Sequence, residues 1–138
     1  MIVLDTNVLS ELMRADPSPA VVRFVADRPA ASLFTTTVTE AEILYGLELL
    51  PHGRRRDALR SALTAVFESD FKGRVLPFDS SAARAYAELA VARRRAGRPI
   101  SQMDAQIAAI AASREASIAT RNVRDFEGCG VVIVDPFE

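Results

Sequence analysis

Met1-Ile2-Val3-Leu4-Asp5-Thr6-Asn7-Val8-Leu9-Ser10-Glu11-Leu12 is the stretch whose reading decides the fold. Its first apolar run is too short for a helix and ends in a carboxylate, Asp5, after which helical spacing begins. A short greasy strand that hands over to a helix through an acid is the usual entry to a site at the C-terminal edge of a parallel sheet, where open α/β folds bind their ligands.

Working outward, short apolar runs recur at Ile2-Leu4, Ser32-Phe34, Val75-Leu76, Ser117-Ala119 and Val131-Val134. Each is bounded by turn or charged residues, which predicts five strands. Between them, helical spacing covers Asn7 to Met13, Ala20 to Ala26, Val38 to Leu50, Arg54 to Ser69, Ser80 to Ala96 and Gln102 to Glu115. Alternation of this kind predicts an α/β domain with a mainly parallel sheet covered by helices on both faces. Prolines at 17, 19, 29, 51, 77 and 99 fall between the segments, and no repeat or low-complexity tract interrupts them. Pro51-His52-Gly53-Arg54 breaks two helices and predicts a helical hairpin. We read residues 1–138 as one domain, long enough to hold a real core.

Composition narrows the function classes. Cys129 is the only cysteine, so no intrachain disulfide or cysteine-based zinc site can form, which fits a reducing compartment. No segment approaches the apolar length of about 20 residues that spans a bilayer. The expectation is a cytoplasmic protein with no membrane association. A formal net charge of -1 argues against coating nucleic acid by bulk electrostatics but leaves room for local basic patches. Lys72 is the only lysine among the 17 basic residues. Arginine suits phosphate, although genomic base composition gives the same bias.

Several acids are placed where packing alone does not ask for them. Thr37-Val38-Thr39-Glu40 matches a capping box, which accounts for Glu40. Glu42 shares its helical stripe with Val38, Tyr45, Gly46 and Leu49, so its carboxylate either reaches solvent or is held in a cleft. Gly46 weakens a helix by about 1 kcal/mol relative to alanine, which suggests that something approaches the backbone there. Asp104 stands three residues after Ser101, a good N-cap, in a helix so apolar that it must pack on the sheet. Stabilisation of the helix dipole would explain it equally well. Asn122 and Asp125 follow a strand that ends at Thr120, one helical turn apart, although an ordinary loop has the same composition.

Together these segments resemble the PIN-domain nucleases, in particular ribonuclease toxins of the VapC and FitB type. The resemblance runs the whole chain. It is carried by Val3 to Glu11, Thr39-Glu40-Ala41-Glu42-Ile43-Leu44-Tyr45-Gly46, Leu76-Pro77-Phe78-Asp79, Asp104 with Gln106 to Ala109, and Ala119 to Phe126. It implies a three-layer α/β/α PIN-like fold with a central five-stranded sheet, Mg²⁺ or Mn²⁺ held by clustered acids, and endonucleolytic cleavage of RNA. It also implies a homodimer and a small antitoxin protein as partner. By position the acids are Asp5, Glu42 and Asp104. At the fourth place Asn122 stands where some relatives have aspartate, with Asp125 three residues on.

The chemistry is consistent with that assignment. Hard divalent ions prefer carboxylate and water oxygens, and they both activate water and neutralise charge on a phosphodiester in transit. His52, the only histidine, lies in the helical break, so a histidine base or ligand is not expected. Asp5 and Asp104 are read as direct ligands, Glu42 and Asp125 as ligands through water or orienters of the attacking water. Thr6, Thr120 and Asn122 would hold carboxylates or meet the scissile phosphate. Arg121 and Arg124 flank the presumed site and are favoured over the clusters Arg54-Arg55-Arg56 and Arg93-Arg94-Arg95 as RNA contacts. Because crowded acids repel, Asp5→Asn is expected to leave the metal-free protein at least as stable as wild type. The rival readings are a noncatalytic module of the same fold and a phosphatase using Asp5 as nucleophile; the latter wants an aspartate where this chain has Asn7.

Overall fold

Ile2–Leu4 (β1) occupies the centre of a five-stranded sheet, between Leu33–Thr36 (β2) and Ser117–Ala119 (β4), with Val75–Leu76 (β3) and Ile133–Val134 (β5) at its edges. The computed structural model describes residues 1–138. Every pairing is parallel, with Ile2 beside Leu33 and Ser117, Thr36 beside Leu76 and Ala119 beside Val134. Parallel neighbours need crossovers, and seven helices supply the layers: Thr6–Leu12 (α1), Pro19–Ala26 (α2), Thr37–Glu48 (α3), Arg54–Ala65 (α4), Ser80–Arg95 (α5), Gln102–Ser113 (α6) and Val123–Phe126 (α7).

The pleat of β1 divides the core. Val3 faces a cluster built from Ile118 with Leu89 of α5, Ile107 and Ile110 of α6 and Phe126 of α7. Leu4 faces the other, with Leu33, Val8 and Leu9 of α1, Val21 of α2 and Leu63 of α4. Successive strand side chains point to opposite faces, so one short apolar run serves both layers. α3 belongs to neither layer alone: Val38 enters the first core and Leu47 the second. It leaves β2 at the C-terminal edge and passes across that edge, which is why its apolar residues show no single stripe.

Four local expectations are corrected. β2 runs on through Thr35 and Thr36, both fully buried, because polar threonine suits a strand as well as the apolar residues before it. β5 pairs only at Ile133–Val134 rather than from Val131. α3 is capped by Thr36, whose hydroxyl accepts the Thr39 amide at 3.0 Å, and not by Thr37; the third helical position is then Thr39, so Glu40 closes no capping box. The helix from Arg54 turns into a π-helical segment over Val66–Asp70, which a 3.6-residue period does not reveal.

Two of the clustered arginines are structural. Arg56 is buried and its guanidinium meets Glu48 at 2.6 Å, tying α4 back to α3 across the hairpin. Arg93 is 6% exposed and donates to the carbonyls of Arg98, Asp125 and Glu127 at 2.7, 2.8 and 2.7 Å. Losing a charged donor would strand three backbone acceptors under α5. Arg93→Ala is therefore expected to cost about 3 kcal/mol in urea unfolding, whereas exposed Arg95→Ala should stay within about 0.5 kcal/mol. Equal midpoints for the two variants would contradict this account.

Candidate functional site

Asp5 sits where β1 ends and caps α1. Its Oδ1 accepts the Thr6 amide at 2.8 Å, while Oδ2 accepts from Asn7 Nδ2 at 3.0 Å and from the Thr120 hydroxyl at 2.8 Å. The residue is 4% exposed. Burial pushes its pKa above the ordinary carboxylate value; bonds from Thr120, Thr6 and Asn7 oppose this, and the charge of Asp104 reinforces it. With two donors on Oδ2 and one on Oδ1, the carboxylate keeps one oxygen lone pair for a further partner.

Asn7, which the sequence marks only as the residue that disfavours a phosphatase, joins three segments. Its amide also reaches Thr120 Oγ1 at 3.2 Å, and its Oδ1 accepts the Arg121 amide at 3.1 Å. The available signal was an asparagine two residues after a capping acid, in the first helical turn. The Asn122 amide donates to the same Thr120 oxygen at 3.0 Å, so the loop after β4 is pinned to β1 through side chains.

Glu42 is half-buried in the middle of α3, where α3 crosses the sheet edge. The Thr6 hydroxyl donates to its Oε1 at 3.0 Å, and since that hydroxyl has one proton, Thr39 at 3.0 Å donates to Thr6 in turn. Burial raises the Glu42 pKa, with repulsion from Asp5 and Asp104 adding to it against the Thr6 bond. Asp104 lies in the first turn of α6, its amide on the capping Ser101 hydroxyl at 3.2 Å. Its pKa is raised by burial and by the charge of Asp125.

Asp125 is an exposed residue of α7, one turn from Asn122, and its amide donates to the Asn122 carbonyl at 3.0 Å. Asn122 precedes that helix without capping it through its side chain. Arg121 turns its guanidinium onto the Phe137 ring, 3.8 Å from the centroid, while Arg124 is exposed. The acids thus feel one another's charge in a chain from Glu42 through Asp5 and Asp104 to Asp125. No three of the protein's His, Cys, Asp and Glu side chains stand close enough to form a ready-made metal cage.

The donor set nevertheless suits a hard divalent ion. Such ions keep several waters and need only one or two direct carboxylates, and Asp5, Glu42 and Asp104 are withdrawn from water, which raises their pKa values. His52 lies against Arg56 and Cys129 is buried beside Arg93, so neither adds a soft ligand. A cleft of about 400 Å³ begins at Thr6 and Glu42 and runs between α1 and α3. A separate, mostly apolar cavity of about 300 Å³, around Leu9, Leu12, Val25 and Phe71, contains none of the candidate residues.

A parallel sheet with acids gathered on its C-terminal edge is the architecture of the PIN domain, and the PIN domain family matches residues 2–128: the chain belongs to that family. Within it, the VapC ribonuclease Y4jK of Sinorhizobium fredii is 39% identical over 138 residues, covering 100% of this chain and 99% of that one. Toxin FitB of Neisseria gonorrhoeae is 33% identical over 137 residues, 99% of each chain. Among solved structures, FitAB bound to an IR36 DNA fragment superposes with a TM-score of 0.94 at 32% identity, over 100% of this chain and 96% of that one. The chain is thus similar along its whole length to VapC- and FitB-type toxins.

The geometry amends one expectation about stability. A raised folded pKa means that the folded protein holds protons more tightly than the unfolded chain; the stability contributed is complete below the ordinary carboxylate pKa and is lost as pH rises through the raised values. Glu42→Gln keeps an acceptor for Thr6 and removes that loss, so it should raise the melting temperature in EDTA at pH 7, with the gain vanishing below about pH 4. Asp5→Asn also removes a charge, but its amide leaves at least one of Thr6, Asn7 and Thr120 facing a donor, so it should gain less than Glu42→Gln or lose stability. Calorimetry across pH tests both; an Asp5→Asn gain as large as that of Glu42→Gln would show that these donors do not matter.

Proposed function

We propose that this chain is a divalent-metal-dependent endoribonuclease and the toxin of a toxin–antitoxin pair, working on RNA in the cytoplasm. The observation that carries the reading is the gathering of carboxylates from separate elements at one sheet edge: Asp5 at the end of β1 is buried, Glu42 of α3 is held by the Thr6 hydroxyl, and Asp104 opens α6, with burial first and one another's charge second raising their pKa values. Withdrawing neighbouring carboxylates from water costs folding stability, so it is more readily explained by a site than by packing. Family membership and similarity to a named VapC ribonuclease and to Toxin FitB support the activity and the biological role.

Asp5, through the free lone pair on Oδ1, and Asp104 would hold Mg²⁺ or Mn²⁺. When bound, such an ion activates water and neutralises charge on the phosphate. Glu42, held by the Thr6 hydroxyl, would orient the attacking water and accept its proton. We assign the fourth acidic place to Asp125, whose charge Asp104 feels, and leave Asn122 toward the substrate. Thr120 and Asn7 keep the Asp5 carboxylate in one rotamer. Arg124 is free to meet phosphate; Arg121, stacked on Phe137, offers a pre-positioned cation. By the same family resemblance, the protein is a homodimer restrained by a small antitoxin.

Purified protein should cut a labelled RNA with Mg²⁺ or Mn²⁺ and stop in EDTA. Asp104→Asn should lower cleavage by about 100-fold or more. Cleavage that survives chelation, or an Asp104→Asn protein as active as wild type, would end the proposal.

A further inference from the structure

Thr39 is fully buried, yet its hydroxyl has no task in building α3. The capping bond of that helix uses the Thr39 amide, which donates to the Thr36 hydroxyl at 3.0 Å. What the Thr39 hydroxyl itself meets is the Thr6 hydroxyl, 3.0 Å away in the first turn of α1. Thr6 in turn lies 3.0 Å from Glu42 Oε1, and Glu42 stands one turn beyond Thr39 on the same face of α3. Valine has nearly the same shape and a similar helix propensity, so neither packing nor capping asks for the hydroxyl.

Counting protons fixes the direction of this chain of oxygens. An ionised carboxylate only accepts, so the single hydroxyl proton of Thr6 goes to Glu42 and that of Thr39 goes to Thr6. The two threonines differ in their alternatives. Thr6 is partly exposed, and its hydroxyl is able to turn to water. Thr39 is withdrawn from water with Thr6 as its only side-chain partner, and a buried donor left unmade would carry the full cost of its desolvation. The buried hydroxyl therefore occupies a lone pair of Thr6 and commits the Thr6 proton to Oε1.

We infer that Thr39 is a positioning residue for cleavage: acting through Thr6, its hydroxyl holds the Glu42 carboxylate in the orientation that meets the attacking water. The inference rests on the nuclease reading and adds to it a residue that touches neither metal nor substrate. A misplaced reacting group loses rate rather than affinity, which is the signature to look for. A threonine kept only to fill space beneath α3 is the alternative, and it makes no use of the hydroxyl.

The test compares full-length Thr39→Val, Thr39→Ser, Thr6→Val and the double Thr6→Val, Thr39→Val protein. Melting temperature in EDTA, Mn²⁺ affinity by calorimetry, and kcat and KM on a short fluorescent oligoribonucleotide are measured for each. Thr39→Val should lower kcat about 10-fold while KM and Mn²⁺ affinity stay as in wild type, and Thr39→Ser should restore the rate. In the Thr6→Val background, Thr39→Val should cost nothing further, because the group it acts through is gone. A metal-free crystal structure of Thr39→Val should show the Glu42 carboxylate away from Thr6 or in more than one rotamer. Should Thr39→Val fold poorly, Thr39→Ala against Thr39→Ser makes the same comparison, with the loss of rate confined to alanine. An unchanged kcat, a serine variant as slow as the valine one, a full second loss in the double variant, or Glu42 held in the metal-free Thr39→Val structure as in wild type would each overturn the inference and leave the nuclease reading intact. Wild type that binds Mn²⁺ but cuts no RNA sinks both.

Discussion

Withdrawing the Asp5 carboxylate from water at the mouth of a parallel sheet is unfavourable, and donors from two segments of the chain answer it: the Thr6 amide and the Asn7 amide of α1, and the hydroxyl of Thr120 from the far side of β4. The rest of the site hangs on this arrangement. Since Thr120 also receives the Asn122 amide, and Asn7 the Arg121 amide, the loop that leads to Asp125 is placed by the same network that solvates Asp5. Burial still prevails over the hydrogen bonds, so the carboxylate retains a demand for positive charge. A group left in that state by its own fold is poised for an external cation.

α3 contributes the second constraint. Starting where β2 ends, it must cross the sheet edge to reach the α4 hairpin, with Val38 in one core and Leu47 in the other. In its middle Ile43 still packs on the second core, while Glu42 and Gly46 fall on the side turned toward the cleft. Thr6 then links α3 to α1 through Glu42, so that the floor of the site consists of two helix starts and a helix middle held by hydroxyls.

The arginines divide by burial. Arg56 is buried and reaches out to the exposed carboxylate of Glu48, and buried Arg93 answers backbone carbonyls, while their sequence neighbours Arg55, Arg94 and Arg95 are exposed. A run of like charges on a helix thus mixes one structural residue with solvated ones, because one position per turn faces inward. Arg93 has a further effect: it holds the carbonyls of Asp125 and Glu127, and so steadies α7 from beneath.

Read as a linear string, the chain declared its strands and helices, and it did so because period-two and period-3.6 burial leave different apolar spacings. It also declared the odd acids, since Glu42 and Asp104 sit on faces that packing would keep apolar. What it left open depends on neighbours far along the chain. Thr36 rather than Thr37 caps α3 because β2 extends two residues further to pair with Val75 and Leu76. Asn7 matters because Thr120 and Arg121, more than a hundred residues away, come to lie beside it. Gly46 reads only as a weak point in a helix until the space over it is seen to be empty. Local patterning by itself determined the elements and the residues out of keeping with them, because those follow from short-range backbone and burial periodicity. Only the tertiary structure decided which hydrogen bonds hold Asp5, which arginines are free and where the cleft lies, because each is a contact between segments that meet solely through the sheet.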